Sequence, residues 1–205
     1  MFVNGKRRTN THLLVVLFLP AILANAVQLE GLPKEWSVFG PVTADKTSLT
    51  TQQISKWQNI PEEISFSDET LKGRKVNLKN GKIDFFKLFH PQTKRYPASN
   101  VRNSAYLFTR INVKNKTELQ VGAAADWWMA WYVNGQLAYS TMDKGNGTGN
   151  YSIVNHHFKL ELRPGSNVIC VEVKGGSKGW ALWALGGSDY EAKAAAEHER
   201  VKQLE

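Results

Sequence analysis

Cysteine occurs once in the chain, at Cys170, so no intramolecular disulfide can staple the fold, and the 205 residues must stand on a hydrophobic core. The thiol lies in Asn167–Lys174, NVICVEVK, where Ile169, Val171 and Val173 alternate with Cys170 and Glu172. It therefore faces away from the valines and reads as a packed side chain rather than a nucleophile. Long apolar runs are also missing. The longest, Leu13 to Leu23, falls short of the roughly 20 residues of a membrane span. Helical periodicity is lacking through the middle of the chain, which excludes a bundle. No second carboxylate stands out to complete a glycosidase pair, so no enzyme activity is expected.

Acids are the minority, 18 against 26 Lys and Arg, but the excess does not specify a nucleic-acid partner. Lys6, Arg7 and Arg8 precede the apolar run, no acid accompanies them, and Ala24-Asn25-Ala26 follows. This is the layout of a secretory signal peptide over residues 1–26, with an uncleaved anchor as the alternative. Removing those three cations leaves a net charge of +5, scattered as single and paired Lys and Arg, which reads as solvated surface. The expected address is secreted, periplasmic or extracellular, with no membrane contact beyond the export signal. Residues 27–188 form the predicted domain and 189–205 a charged, Ala/Glu/Lys-rich helix outside the core.

What the chain has in quantity is tryptophan, seven residues between Trp36 and Trp183. Three fall in residues 119–139, LQVGAAADWWMAWYVNGQLAY, which carry a small-residue corner at Gly122–Ala125 and a turn at Asn134-Gly135. An aromatic and β-branched run that breaks at Asn-Gly and resumes with Leu137 and Tyr139 predicts a β-hairpin. Further strands are predicted at Trp36–Phe39, Ile60–Phe66, and Lys75–Leu78 with Ile83–Phe86 around Asn80-Gly81. Others are expected from Tyr106 to Val113, from Phe158 to Leu162, along Asn167–Lys174, and from Trp180 to Leu185. Residues 43–53 read as an exposed polar excursion, 90–102 as a long loop and 143–152 as an exposed rim. Strands at about ten-residue spacing with Gly/Pro punctuation indicate an all-β antiparallel sandwich with a short C-terminal helix.

Trp36-Ser-Val-Phe-Gly-Pro41, Ala105-Tyr106, Val121-Gly122 to Asp126, Trp131-Tyr-Val-Asn-Gly135, and Leu162-Arg-Pro-Gly-Ser-Asn167 occur in that order. Together they resemble the galactose-binding-like jelly rolls, including the sugar-binding domain of family 2 glycoside hydrolases and modules of secreted bacterial carbohydrate-active proteins. The likeness covers roughly residues 36–186. It implies a jelly roll of about eight strands and a carbohydrate context, without naming a ligand. Such modules often show a second acid and a glycine after the corner, where this chain has Asp126-Trp127-Trp128-Met129.

Gly175-Gly-Ser-Lys-Gly179 matches G-x-S-x-G, but a strand is predicted after it, so it reads as a turn. His156 and His157 are strand neighbours and point to opposite faces, so they do not share a metal. No cofactor is expected. Calcium is the alternative, with oxygens from Asp143, Asn146 and Asn150 at a spacing unlike an EF-hand. Asn115, Asn146 and Asn150 begin glycosylation sequons, relevant if the source is eukaryotic. Trp131 and Val133 are expected to face inward, with Tyr132 and Trp128 on the other face. Trp127, Trp128, Trp180 and Trp183 are either core or a platform for the apolar C–H face of a sugar, with Asp126, Asn134 or Asn155 taking its hydroxyls. The expected partner is thus a glycan or polysaccharide bound by a non-catalytic accessory module. The alternative is a structural or protein-interaction domain whose tryptophans are all core.

Overall fold

In a computed structural model the described residues are 29–43, 49, 51–56, 59–66, 69–92, 103–148, 151–176 and 179–203. The predicted export signal, most of the 90–102 loop, Asn150, Ser177 and Lys178 lie outside them. Among the described residues the order is β1 (Glu35–Val42), α1 (Thr51–Ser55), β2 (Glu63–Phe66), β3 (Glu69–Lys72), β4 (Arg74–Asn77), β5 (Lys82–Asp84) and α2 (Phe85–Phe89). There follow β6 (Ser104–Val113), β7 (Thr117–Ala125), β8 (Trp128–Val133), β9 (Gln136–Ser140), β10 (His156–Leu162), β11 (Gly165–Lys174), β12 (Ala181–Gly186) and α3 (Gly187–Lys202).

Two antiparallel sheets carry the fold, one in the order β4-β1-β6-β11-β8-β9 and the other β10-β7-β12-β5. The fold is an antiparallel β-sandwich. Side chains that alternate inward from both sheets build the main core. Leu107 and Ile111 of β6, Trp131 and Val133 of β8, and Val171 and Val173 of β11 meet Leu119 and Val121 of β7, Leu160 of β10 and Leu182 of β12. Trp131 lies fully buried in the middle, edge-on to Trp36 at 6.3 Å. The Asn134-Gly135 turn forms as predicted, with φ of 49° and 82°, the left-handed pair that a type I′ hairpin requires.

The six-stranded sheet is buried on its second face too. Phe39, Tyr106, Phe108, Tyr132 and Cys170 pack there under Leu49, Ile54 and Ile64. The stretch read as a polar excursion is therefore partly a cover, because its Leu49 and the Ile54 that follows it pack onto the sheet. Cys170 is buried in this layer, and desolvation holds its thiol well above the usual range. Burial on both faces explains why Tyr106 and Phe108 of β6 and Cys170 of β11 stand opposite the main-core side chains of the same strands.

Three further expectations are revised. The strands around Asn80-Gly81 are not a hairpin. β4 pairs with β1 while β5 pairs with β12, so the turn hands the chain from one sheet to the other. Phe85 and Phe86, expected in a strand, open α2, capped by Asp84 through its carboxylate and the Lys87 N–H. The helix α3 begins at Gly187 and is docked, with Tyr190 and Ala194 buried against Ile153 and Trp183. Gly122 makes this fit, because the Tyr190 ring lies where its Cβ would be. The small-residue run is thus strand β7, and the corner falls two residues later.

Candidate functional site

That corner is where the chain leaves the four-stranded sheet at Ala125 and enters the six-stranded sheet at Trp128. Asp126 N–H donates to the Ala181 carbonyl at 3.0 Å, which ties the first half to β12. Thr141 ties the second: its hydroxyl accepts from Met129 N–H at 2.9 Å and donates to the Trp127 carbonyl at 3.3 Å. Between these anchors Trp127 has φ of 143°, a region that L residues rarely occupy and that costs about 1–3 kcal/mol.

Trp127 is 40% exposed. One part of its indole rests on Gly145, and Trp128, half-buried, meets it edge-on at 6.1 Å and 77°. Beside it the Asp126 carboxylate faces Gly176 and Gly179, and its Oδ2 is buried without a hydrogen-bond partner among the described residues. Desolvation pushes that carboxyl above the usual range. Asn155 opens β10, whose first pair joins His156 to Ala123, so it stands at the same end of the sandwich.

Behind the corner the 141–148 loop is held by a part-buried chain of side chains. Tyr139 stacks on Phe158 at 4.3 Å and 2°, and its hydroxyl lies 2.8 Å from His156 Nδ1. His156 Nε2 lies 2.8 Å from Asn146 Oδ1, and Asn146 Nδ2 donates to the Thr148 carbonyl. A neutral imidazole protonated at Nε2 satisfies both contacts, and burial holds His156 below the usual imidazole range. Gly145 and Asn146 are buried, which corrects the reading of this loop as wholly exposed. Asn146 is thereby unsuited to glycosylation, and its amide oxygen is already engaged. Among the described residues no three His, Cys, Asp or Glu side chains gather as metal ligands. His157 points the other way, to Gln120.

The remaining candidates separate. Asn134 is at the far end of β8, about 20 Å away by strand rise, where its side chain bonds Asn167 and the Val168 N–H. Trp180 is 2% exposed; its N–H donates to the Val173 carbonyl, and Phe85 and Phe89 pack on it at 5.3 Å. Trp180 is thus a core side chain, and the Asn134 side chain is engaged at the other end of the sandwich. Trp183 lies on the outer face of β12, between Lys82 and Tyr151. After Gly175-Gly176 the chain turns, with Gly176 N–H on the Gly179 carbonyl, and continues as strand β12 rather than a helix, so no nucleophile elbow forms. Tyr151, 39% exposed, was not among the expected site residues. Its signal was its place as the one apolar residue ending the Gly/Asn loop. Desolvation raises its pKa, with the charges of Asp126 and Asp84 adding to the effect.

No family profile and no curated protein matches the chain. Among solved structures it is similar to a β-glucosidase from Kluyveromyces marxianus, at 14% identity and a TM-score of 0.45, covering 73% of this chain and 16% of the enzyme. A glycosyl hydrolase family 2 member from Bacteroides cellulosilyticus is similar at 17% identity and a TM-score of 0.42, with 76% and 21% covered. A family 35 carbohydrate-binding module from Clostridium thermocellum is similar at 16% identity and a TM-score of 0.30, with 52% and 87% covered. The chain thus spans about a fifth or less of the two enzymes.

Proposed function

We propose that the chain is a secreted, non-catalytic carbohydrate-binding or accessory module that takes a glycan at the Asp126–Trp128 corner. The observation that carries this reading is the exposed Trp127 ring, fixed on a strained backbone beside a carboxylate oxygen that lacks a partner. A sugar needs an apolar platform and a nearby acceptor for its hydroxyls, and rigid aromatics supply the platform at little entropic cost. A stack on one ring with one or two hydrogen bonds gives weak binding, with Kd on the order of 1 mM, about −4 kcal/mol. The second reading, a structural or protein-interaction domain, is favoured by Trp36, Trp131 and Trp180, which are core.

Titration with a panel of soluble polysaccharides, followed by tryptophan fluorescence, tests the choice. A saturable change with one glycan, abolished in a folded Trp127→Ala chain, is the expected result. Silence across the panel would sink the platform and leave the structural reading.

A further inference from the structure

The outer face of the four-stranded sheet carries a cleft that the corner does not use. Its volume is 1220 Å³. Trp183 forms the floor, paired with Ala124 of β7 on one side and Lys82 of β5 on the other. The Asn80-Gly81 turn makes one wall, docked on β12 through Ala184 N–H and the Gly81 carbonyl at 2.9 Å. Ala192 and Lys193 of α3 make another.

Two independent observations point to what fills it. Trp183 is only 9% exposed, yet its buried indole N–H has no hydrogen-bond partner among the described residues. A buried donor left unpaired is costly, so the site lacks an acceptor. The second observation is charge. Lys82 Nζ stands 3.8 Å from the Trp183 ring centroid and Lys193 Nζ 6.0 Å, and neither pairs with a carboxylate among the described residues. Two acids share the lining with Lys34, Lys79, Lys82 and Lys193, namely Asp84 and Asp189, and Asp84 is already engaged: Oδ1 accepts from Lys87 N–H, and Oδ2 is 3.6 Å from Lys87 Nζ. Tyr151 adds an aromatic ring 6.1 Å from Trp183, tilted by 39°.

We infer that this cleft is a subsite for a sugar residue carrying an anionic group, a carboxylate or a sulfate. The anion sits with Lys82 and Lys193, an oxygen of the same residue accepts from the Trp183 indole N–H, and the sugar ring lies against Tyr151. That the anion is borne by a sugar rests on the carbohydrate reading above; the demand for an acceptor and an anion does not.

The test follows indole N–H resonances of protein labelled with [15N-indole]tryptophan, with the Trp183 signal assigned by its loss in Trp183→Phe and the Trp127 signal by its loss in Trp127→Ala. Three probes are titrated: oligogalacturonate, sulfated dextran oligosaccharide and neutral dextran oligosaccharide. The Trp183 signal is expected to move with at least one acidic probe and not with the neutral one, and the responding probe identifies carboxylate or sulfate. Binding should weaken at least tenfold in Lys82→Gln/Lys193→Gln, whose exposed substitutions leave the fold intact. A Trp183 signal unmoved by both acidic probes, or moved equally in the double variant, would overturn the subsite. If Trp183 is silent while Trp127 responds to a glycan, the corner stands and the cleft falls; the reverse removes the corner alone.

Discussion

The Trp127 indole rests directly on Gly145, at a position where any Cβ would enter the ring. The glycine has φ of 68°, so its lack of a side chain serves both the turn and the contact. The 141–148 loop is in this sense the bed of the exposed aromatic.

Gly145→Ala therefore adds a steric clash to a conformational cost. Gly147 provides the control, with φ of 71° and nothing within 4 Å of its would-be Cβ. We expect Gly147→Ala to cost about 1 kcal/mol and Gly145→Ala about 2–3 kcal/mol, with a change in Trp127 emission only in the latter. Equal costs by urea denaturation would show that the ring does not bear on the glycine.

The backbone at Trp127 inverts the usual order of substitutions. Glycine relieves the strain at φ of 143° while alanine retains it, so Trp127→Gly is expected to be more stable than Trp127→Ala by about 1 kcal/mol. Both should lose glycan binding. Denaturant midpoints measured side by side decide the order, and alanine above glycine would contradict the corner geometry.

His156 sets a pH dependence. Its folded pKa is depressed by burial, so the unfolded chain, with a value of about 6.5, binds more protons once the pH falls below that figure. Its contribution to stability is full above about pH 6.5 and is lost as the pH falls toward the folded value. Asp126, raised by burial, acts with the opposite sign in a more acidic range. Melting temperature is expected to drop between pH 7.5 and 5.5, and the drop should shrink in His156→Gln. An identical slope in the variant would remove His156 as the cause.

Trp180 provides the contrast with Trp127. It fills the core between Phe85 and Phe89, so Trp180→Ala is expected to cost about 3–5 kcal/mol and to change glycan affinity only through unfolding. Binding lost in a Trp180 variant that melts like the parent would place the residue at a surface after all.

The sequence made local features legible. The Asn134-Gly135 hairpin rests on a turn that two residues dictate, and the alternation of Phe158, Leu160 and Leu162 survives as buried positions in β10. Partner choice was less legible. Asn80-Gly81 has the same turn chemistry as Asn134-Gly135, but only the tertiary fold sends β4 and β5 to different sheets. Leu49 and Ile54 are isolated apolar residues in polar surroundings, and nothing local says that they close the back of a sheet. At the site, composition left Trp127, Trp128, Trp180 and Trp183 equivalent. Their environments separate them: an exposed corner, a half-buried neighbour, a core slot and a cleft floor.

The strand that carries Trp183 runs without a loop into α3, joined at Gly187, whose φ of 54° and tight seat against Leu29 admit no side chain. Floor and wall of the cleft are thus one short continuous piece of chain, folded back on itself at a single joint. A residue inserted or deleted at that joint would rotate the helix and lift Tyr190 from its seat on Gly122, so the wall cannot move without loosening the packing behind the floor. The width of the cleft is in this way tied to the scaffold, and its adjustment falls to the side chains of Ala192 and Lys193 and to the Asn80-Gly81 turn.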